Sequence, residues 1–374
     1  MTLRNNDRRA PLVLLSLVSL VLVGCSQQPV QLRLGATLPL TGDVASYGKS
    51  AQSGIQLAVE QRNAGGGLLG RQVVVDFQDD HNDKAAAVGI FTKFATIDKV
   101  PVVFGSAGSG VTLSIAPLAS RYQVLLVSPV SSSAKLSTEG GPFFFRTVPS
   151  DDLQAQVLAQ WVWESGVRRV AIVYTNNAWG KPLADSFAAL YGAAGGTVIL
   201  SEGVAENSSD FRTLITKLAN VKDPDAVVSP TYPREGGVFV RQCKELGVNL
   251  RLFGGDNWGS PEFLTNAGDA AEGVMFTAPS DSVSARFADF ETAYVKRFGP
   301  KPDIFAAYAF DAAEAVLRAI ATAGSTDPVA VRDALRWERF DGVSGLVSFK
   351  PNGDREIEAF VRKRVEHGKA VNAR

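Results

Sequence analysis

A chain of 374 residues with 38 basic and 38 acidic side chains and 45% hydrophobic residues is too long for one ordinary domain and suits two, each able to bury its own core. The basic residues are scattered, with no basic stripe carrying interleaved aromatics, which excludes the electrostatic footprint of a nucleic-acid-binding protein. Only two histidines and two cysteines are present, so metal and nucleophilic chemistry have few candidates.

The N-terminus reads as a targeting segment. Arg4, Arg8 and Arg9 precede an apolar run over residues 12–23, about the length of a signal-peptide core and short for a membrane span. The run ends in Leu22-Val23-Gly24-Cys25, which resembles the bacterial lipobox. That resemblance implies cleavage before Cys25 and lipid attachment to its sulfur, making residues 1–24 a lipoprotein signal peptide and residues 25–31 a polar tether. The alternatives are a plain secretory signal with an incidental cysteine, or a single anchor helix. Setting aside residues 1–24, with three arginines and one aspartate, leaves 35 basic and 37 acidic side chains. Cys243 is then the only other cysteine, so no intramolecular disulfide forms. It falls on the apolar face of an expected helix over residues 238–246, as a core residue does.

The body of the chain alternates strands with helices. Residues 32–38 read as a buried strand, followed by the turn Pro39-Leu40-Thr41-Gly42-Asp43 and a helix over residues 45–62 that Gly65-Gly66-Gly67 stops. A strand over residues 71–78, the loop Asp79-Asp80-His81-Asn82-Asp83 and a helix over residues 84–97 come next. Strand Pro101-Val102-Val103-Phe104 then runs into Gly105-Ser106-Ala107-Gly108-Ser109-Gly110 and a helix over residues 111–122. Glycines without Cβ and unpaired helix-start N–H groups suit a carboxylate or phosphate there. A strand over residues 124–127 brings Ser128-Pro129-Val130-Ser131-Ser132-Ser133 to the same carboxyl edge of a parallel sheet. The competing account is that both segments are ordinary strand-to-helix turns, rich in Gly and Ser for local reasons.

A second βα series of similar size starts after Arg146-Thr147-Val148-Pro149-Ser150. It holds helices over residues 151–164, 181–194, 210–220 and 234–246, and strands over residues 169–174, 197–201, 226–229 and 251–254. The fold class is therefore α/β, with two doubly wound parallel-sheet lobes, though no residue-level repeat links them. Beyond Val274-Met275-Phe276-Thr277 come helices over residues 284–297, 303–323 and 328–337, a hairpin near residues 349–354 and a strand over residues 357–364. Helices without strands of their own must bury their apolar faces on an existing sheet, so the chain is expected to return to the first lobe. Several crossings make a hinge and a cleft.

The run Gly35-Ala36-Thr37-Leu38-Pro39-Leu40-Thr41-Gly42 is followed by Tyr47-Gly48, Gly54, Asn63, Gly65-Gly66 and Leu69-Gly70. After these come Asp79-Asp80, Gly105-Ser106, Ser128-Pro129, Arg146-Thr147, Tyr232, Gly254-Gly255-Asp256 and Tyr308. In order and spacing this set resembles the branched-chain amino-acid (Leu/Ile/Val) binding proteins, the type I periplasmic solute receptors of ABC importers, over essentially the whole mature chain. The resemblance implies a two-lobed clamshell joined by several hinge crossings. Residues 31–147 with 279–345 would form lobe one, residues 148–278 with 346–366 lobe two, and residues 367–374 a tail. It also implies that Ser109 binds the ligand's α-carboxylate, that Val130 offers its carbonyl to the α-ammonium, and that Ser132 binds the polar end. Asp256 would pair with the ammonium, with Tyr232 near the polar groups and Tyr47, Trp179 and Tyr308 lining the cleft.

Three departures from that pattern bear on selectivity. Ala107 and Gly108 are small where Leu/Ile/Val binders carry a larger residue and a cysteine. Asp256 is shorter than their glutamate, and Trp179 stands for a tyrosine. Physical chemistry supports the division of labour independently: a zwitterion taken from water needs both charges answered, since an unpaired buried charge costs several kcal/mol by order of magnitude. Partners on opposite lobes make the closed state bind better than the open one.

Enzyme signatures are lacking. A Ser-His-Asp arrangement would have to use His81, since His367 falls in a charged tail, and no Gly-x-Ser-x-Gly elbow exists. The loop over residues 79–83 lacks the glycine and distal glutamate of an EF-hand. The glycine loop lacks the ending of a P-loop. Asp151-Asp152 reads as a pair of helix-start acids. The expectation is a monomeric, lipid-anchored, extracytoplasmic receptor that delivers an apolar amino acid to the membrane subunits of an ABC importer, with no cofactor, metal or nucleic acid. The alternatives are a sensor for an amide, urea-like or aromatic-acid ligand and, from another class, an α/β hydrolase or nucleotide-dependent enzyme.

Overall fold

The computed structural model describes residues 1–3, 31–221, 224–280, 284–356 and 359–373. The expected lipid site at Cys25, the apolar run and the tether up to residue 30 lie outside the described residues. Among the described residues, no helix is long and apolar enough to cross a membrane.

The first sheet contains β1 (Gln31–Leu38), β2 (Gln72–Asp79), β3 (Val102–Gly105), β4 (Leu125–Ser128) and β5 (Phe144–Arg146). Its order is β2-β1-β3-β4-β5 and every neighbouring pair is parallel. Strands β3 and β4 are buried throughout, as central strands covered on both faces must be. Helices α1 (Ala45–Ala64), α2 (Lys84–Lys93), α3 (Ser109–Tyr122) and the short α4 (Leu136–Glu139) make the connections. Asp83 caps α2 by accepting from the Ala86 N–H. The helix expected to reach residue 97 changes to a wider π turn over Phe94–Asp98, where Phe94 is buried against Gly35.

Helix α5 (Asp151–Glu164) opens the second series, capped by the Ser150 hydroxyl accepting from the Asp152 N–H. There follow β6 (Arg169–Thr175), α6 (Gly180–Ala193), β7 (Thr197–Val204), α7 (Arg212–Asn220), β8 (Ala226–Ser229), α8 (Pro233–Glu245), β9 (Arg251–Gly254), α9 (Pro261–Ala267) and β10 (Met275–Pro279). Their parallel order is β7-β6-β8-β9-β10, the same winding as the first sheet. Cys243 on α8 is a free, buried thiol in this lobe's core. Burial pushes its pKa up to about 12.

The chain then returns. Helices α10 (Phe287–Phe298), α11 (Ile304–Ala323) and α12 (Pro328–Leu335), with the hairpin β11 (Phe340–Gly342) and β12 (Gly345–Val347), bury Phe290, Phe310, Leu335, Phe340, Val347 and Phe349 in the first lobe's core. Residues 346–349 therefore pack with lobe one, not lobe two. The long α11 is buried along 13 residues because it lies against α1, and Gly54 permits that approach. A Cβ there would sit 2.1 Å from the Ala306 carbonyl oxygen. Strands β13 (Phe360–Glu366) and β14 (Lys369–Asn372) then extend the second sheet antiparallel beyond β10. The expected tail over residues 367–374 thus contains an edge strand, and His367 sits in its turn with φ +52°.

Connections between the lobes pass beneath the cleft and are knitted by two buried arginines. Arg146 Nε donates to Asp354 Oδ1 at 2.7 Å, and its Nη1 donates to the carbonyls of Ser132 (2.8 Å) and Ser133 (2.9 Å). Arg355 Nη1 donates to the Thr147 carbonyl at 3.1 Å, and its guanidinium lies 5.4 Å from the Tyr308 ring centroid.

Candidate functional site

Because both sheets wind in the same order, each presents a switch point where the connections leave toward opposite faces, β1/β3 in one and β6/β8 in the other. The carboxyl ends of these strands supply both walls of one cavity. Lobe one contributes Val44 and Tyr47 after β1, Ala107, Gly108 and Ser109 after β3, and Val130 and Ser132 after β4. Lobe two contributes Trp179 after β6, Tyr232 after β8, and Asp256 and Asn257 after β9, while Phe305 enters from the start of α11. The space left between the two walls is narrow, about 30 Å³.

Lobe one's wall is mostly committed to itself. Buried Asp80 accepts from Thr37 Oγ1 (3.0 Å), Ser106 Oγ (2.7 Å) and the Asn82 N–H (2.9 Å). The hydroxyls of Ser128 (2.9 Å) and Ser131 (2.8 Å) donate to the Ser106 carbonyl, fastening the β4 loop to the β3 loop. Of the serines that the sequence brings to this edge, Ser109 and Ser132 remain for the cavity. Ser109 is the first residue of α3, and its Oγ accepts from the Ser133 N–H at 3.2 Å, which orients the hydroxyl. Its own N–H and that of Gly110 belong to the first turn, which has no preceding carbonyls to bond. The Ser132 carbonyl accepts from Arg146 and from the Asp151 N–H (2.9 Å).

Lobe two's wall is aromatic and acidic. Trp179 and Tyr232 stack with centroids 5.4 Å apart and planes at 16°. Asp256 opens a single 3₁₀ turn over Asp256–Gly259 that is pinned by Trp258, whose Nε1 donates to Thr231 Oγ1 at 3.0 Å. Gly254 is required beneath that indole, since a Cβ would approach the ring to 2.1 Å. The Asp256 Oδ1 is buried with no hydrogen-bond partner. Burial pushes its carboxyl up to about 6, against the opposing pull of Gln154 and the Asn257 amide. Burial also pushes the Tyr232 and Tyr47 phenols well up, so both remain hydroxyl donors.

Side-chain contacts among the described residues bridge the cleft. Tyr47 Oη donates to Asn257 Oδ1 at 2.7 Å, Ser133 Oγ donates to the Ala178 carbonyl at 2.8 Å, and Arg234 lies 3.4 Å from Asp43. The lobes are thus closed upon each other.

Eight of the nine expected site residues line this cavity: Ser109, Val130, Ser132, Asp256, Tyr232, Tyr47, Trp179 and Ala107. Tyr308 does not. It lies nearly one turn further along α11, behind Phe305 at 6.5 Å between centroids, and its carbonyl accepts from Thr147 Oγ1 at 2.8 Å. Phe305 takes the wall position instead, with its ring edge-on to Tyr47 at 5.0 Å.

Sequence reasoning also passed over Val44, Asn257, Asp151 and Gln154. Asp151 does lie in the first turn of α5. It is also 1% exposed, with both carboxylate oxygens unpartnered, beside Gln154, whose Oε1 and Nε2 are likewise buried and unpartnered. Burial and the neighbouring Asp256 push the Asp151 carboxyl well up, against the pull of Arg146 and the nearby Ser132 hydroxyl. An acidic residue directly after a hinge crossing, followed three positions later by Gln, was the available signal.

His81 is exposed at the cleft mouth, with Nδ1 3.0 Å from Asp79 Oδ2, and His367 is at the far end of the second sheet. Among the described residues no group of three His, Cys, Asp or Glu side chains is placed to hold a metal ion.

The comparisons agree with this architecture. The family model described as "Periplasmic binding protein" matches residues 31–366. The Leu/Ile/Val-binding protein BraC3 of Rhizobium johnstonii is 33% identical over 343 residues, covering 91% of this chain and 93% of that one. The solved structure of the leucine binding protein LivK from Thermotoga maritima superposes with a TM-score of 0.86 at 26% identity, over 92% of this chain and 98% of that one. The branched-chain amino-acid transporter substrate-binding protein LivJ from Streptococcus pneumoniae, in complex with isoleucine, gives a TM-score of 0.82 at 28% identity, over 92% of this chain and all (100%) of that one.

Proposed function

This chain belongs to the periplasmic binding protein family, of the type that serves ABC transporters, and we propose that it is a lipid-anchored receptor that takes a branched-chain or similar apolar amino acid between its lobes. The observation that carries the reading is the opposition of a helix start bearing Ser109 on one wall to Asp256, whose Oδ1 is buried without a partner, on the other.

In this reading the Ser109 hydroxyl and the first N–H groups of α3 receive the α-carboxylate, where unpaired donors and the positive helix end favour an anion. Asp256 and the Val130 carbonyl receive the α-ammonium, and Ser132 supports the polar end. Tyr47, Trp179, Tyr232 and Phe305 enclose the side chain, and small Ala107 and Gly108 leave it space. Each charge is then answered from a different lobe, so the ligand stabilises closure by its differential contacts. An aromatic acid or amide with no positive end would leave Asp256 unanswered, which weighs against those ligands. The Cys25 anchor rests on the lipobox-like run: labelled palmitate is expected to be incorporated and to vanish in Cys25→Ala.

A thermal-shift screen of the mature protein against the common amino acids tests the reading. Stabilisation by leucine, isoleucine or valine without product formation supports it. No shift with any amino acid overturns it.

A further inference from the structure

We propose that the end of lobe one opposite the cleft is a membrane-resting face, which lies on anionic phospholipid headgroups through Trp337 and the cations Arg71, Lys99 and Arg121. What brings a bilayer to it is the lipid anchor proposed above, on which this assignment rests.

Topology fixes which residues share this end. The cavity sits at the carboxyl ends of the strands, so the opposite end of lobe one gathers residues that precede strands and residues that finish helices. Arg71 comes just before β2, whose first residue Gln72 pairs with Gln31 at the start of β1. Lys99 lies between the π turn after α2 and the start of β3, and Arg121 is in the last turn of α3. Helix α11 begins beside the cavity near Phe305 and finishes at this end, where Thr322 Oγ1 donates to Glu338 Oε1 at 3.1 Å. Arg336 Nη2 donates to the Pro142 carbonyl at 3.4 Å, just ahead of β5. Trp337, between those two bonded residues, is thereby held at the same end.

The side chains there are unusual for a water-facing surface. Trp337 is 88% exposed and Ile97 73%, the highest values of any large apolar side chain among the described residues beyond residue 3. Leu69, in the turn beside Arg71, is also exposed. Of the five tryptophans, Trp337 is the one exposed indole. Two acids of this end are already engaged, Asp76 by Arg33 at 3.8 Å and Asp98 by Lys93 at 2.6 Å. Lys99 and Arg121 are exposed and Arg71 half-exposed, and among the described residues none of the three forms an ion pair. The cleft mouth differs: there Asp43, Asp83, Glu206 and Glu235 gather around Arg234. Free cations and bare apolar groups mark one end of lobe one, acids the other.

The occupant follows from where the chain enters. Six peptide links separate Cys25 from Gln31, a reach of at most about 22 Å even fully extended. Gln31 opens β1 at the amino end of the sheet, so a lipid on Cys25 holds a bilayer against this end and not against the cleft. An indole settles at headgroup level, its apolar body toward the acyl chains and its N–H toward water. Phosphates answer the unpaired cations, an attraction that salt screens, and the same surface repels the acidic rim. The consequence is orientation. The cleft points away from the lipid and stays open to solute, whereas a tether alone would let the body tumble.

The test reads Trp337 fluorescence, taken as the difference between wild type and Trp337→Phe, on vesicles of phosphatidylglycerol and brominated phosphatidylcholine. In the lipidated mature chain bromine is expected to quench Trp337. The same chain without its lipid should bind these vesicles, and the combined variant Arg71→Gln, Lys99→Gln, Arg121→Gln should bind at least about tenfold more weakly, as should wild type in high salt. Thermal unfolding of that variant should match wild type. A lipidated, vesicle-bound chain whose Trp337 escapes quenching overturns the face and leaves the anchor standing. If no palmitate is incorporated but the unlipidated chain binds with Trp337 quenched, the anchor fails and the face stands. Equal binding by wild type and the combined variant overturns the role of the cations. A dimer that shields Trp337 from acrylamide without vesicles overturns the proposal in favour of contact between copies of the chain.

Discussion

The two walls of the cleft come from sheets wound in the same order, yet they treat polar groups in opposite ways. On lobe one, Asp80, Ser106, Ser128 and Ser131 bond one another, and the loops they join are fixed before any ligand arrives. On the facing wall, Asp256 and its neighbour Asp151 keep buried oxygens without partners. One wall is built to hold its shape. The other holds unmet electrostatic demand that a bound cation can relieve. The difference teaches that equal topology places loops at equivalent points but leaves their polar bonding free to specialise.

Substitutions should therefore separate into losses of stability and losses of affinity. The largest effect is expected at the hinge: Arg146→Met strands buried Asp354 and the Ser132 and Ser133 carbonyls, and should lower the unfolding free energy by about 3–5 kcal/mol in urea titration. Asp256→Ala should act on binding, weakening affinity for the amino acid at least about tenfold, or about 1.4 kcal/mol, by calorimetry. Burial already disfavours the charged form of this carboxyl, so thermal unfolding of the ligand-free protein should not worsen. Ser106→Ala on the first wall should do the reverse. It removes one donor to Asp80 and should cost about 1 kcal/mol of stability, with a smaller change in affinity. If Asp256→Ala destabilised the empty protein more than Ser106→Ala did, the contrast between the walls would be lost.

What could be read from the sequence was what local chemistry decides. Helix α5 begins and ends where Ser150 caps it and Ser165-Gly166 stops it, because those signals act within a few residues. The central strands β3 and β4 announce themselves as short apolar runs before Gly and Ser. Strand β14 is different: Lys369-Ala370-Val371-Asn372 has no strong period, and only pairing with β13 makes it a strand. The same holds for the three-residue β5, whose place comes from β4.

Site residues divide along the same line. Ser109, Val130 and Asp256 could be placed because they follow strands whose carboxyl ends must face the cleft. Tyr308 and Phe305 could not be told apart by composition, since both are aromatic and lie near one another on α11; the docking of α11 on α1 decides which reaches the cavity. Asp151 was legible as a helix-start acid. Its burial comes from tertiary packing, which no local pattern encodes.

The central claim is that Asp256 on the second wall supplies the negative charge that recognises a ligand's positive end. Calorimetry comparing L-leucine with 4-methylpentanoic acid, the same skeleton without the amino group, measures this directly on the unaltered protein. The account predicts that leucine binds at least about tenfold more tightly and that Asp256→Ala erases most of the difference. Equal affinity for the two compounds in the unaltered protein would contradict it.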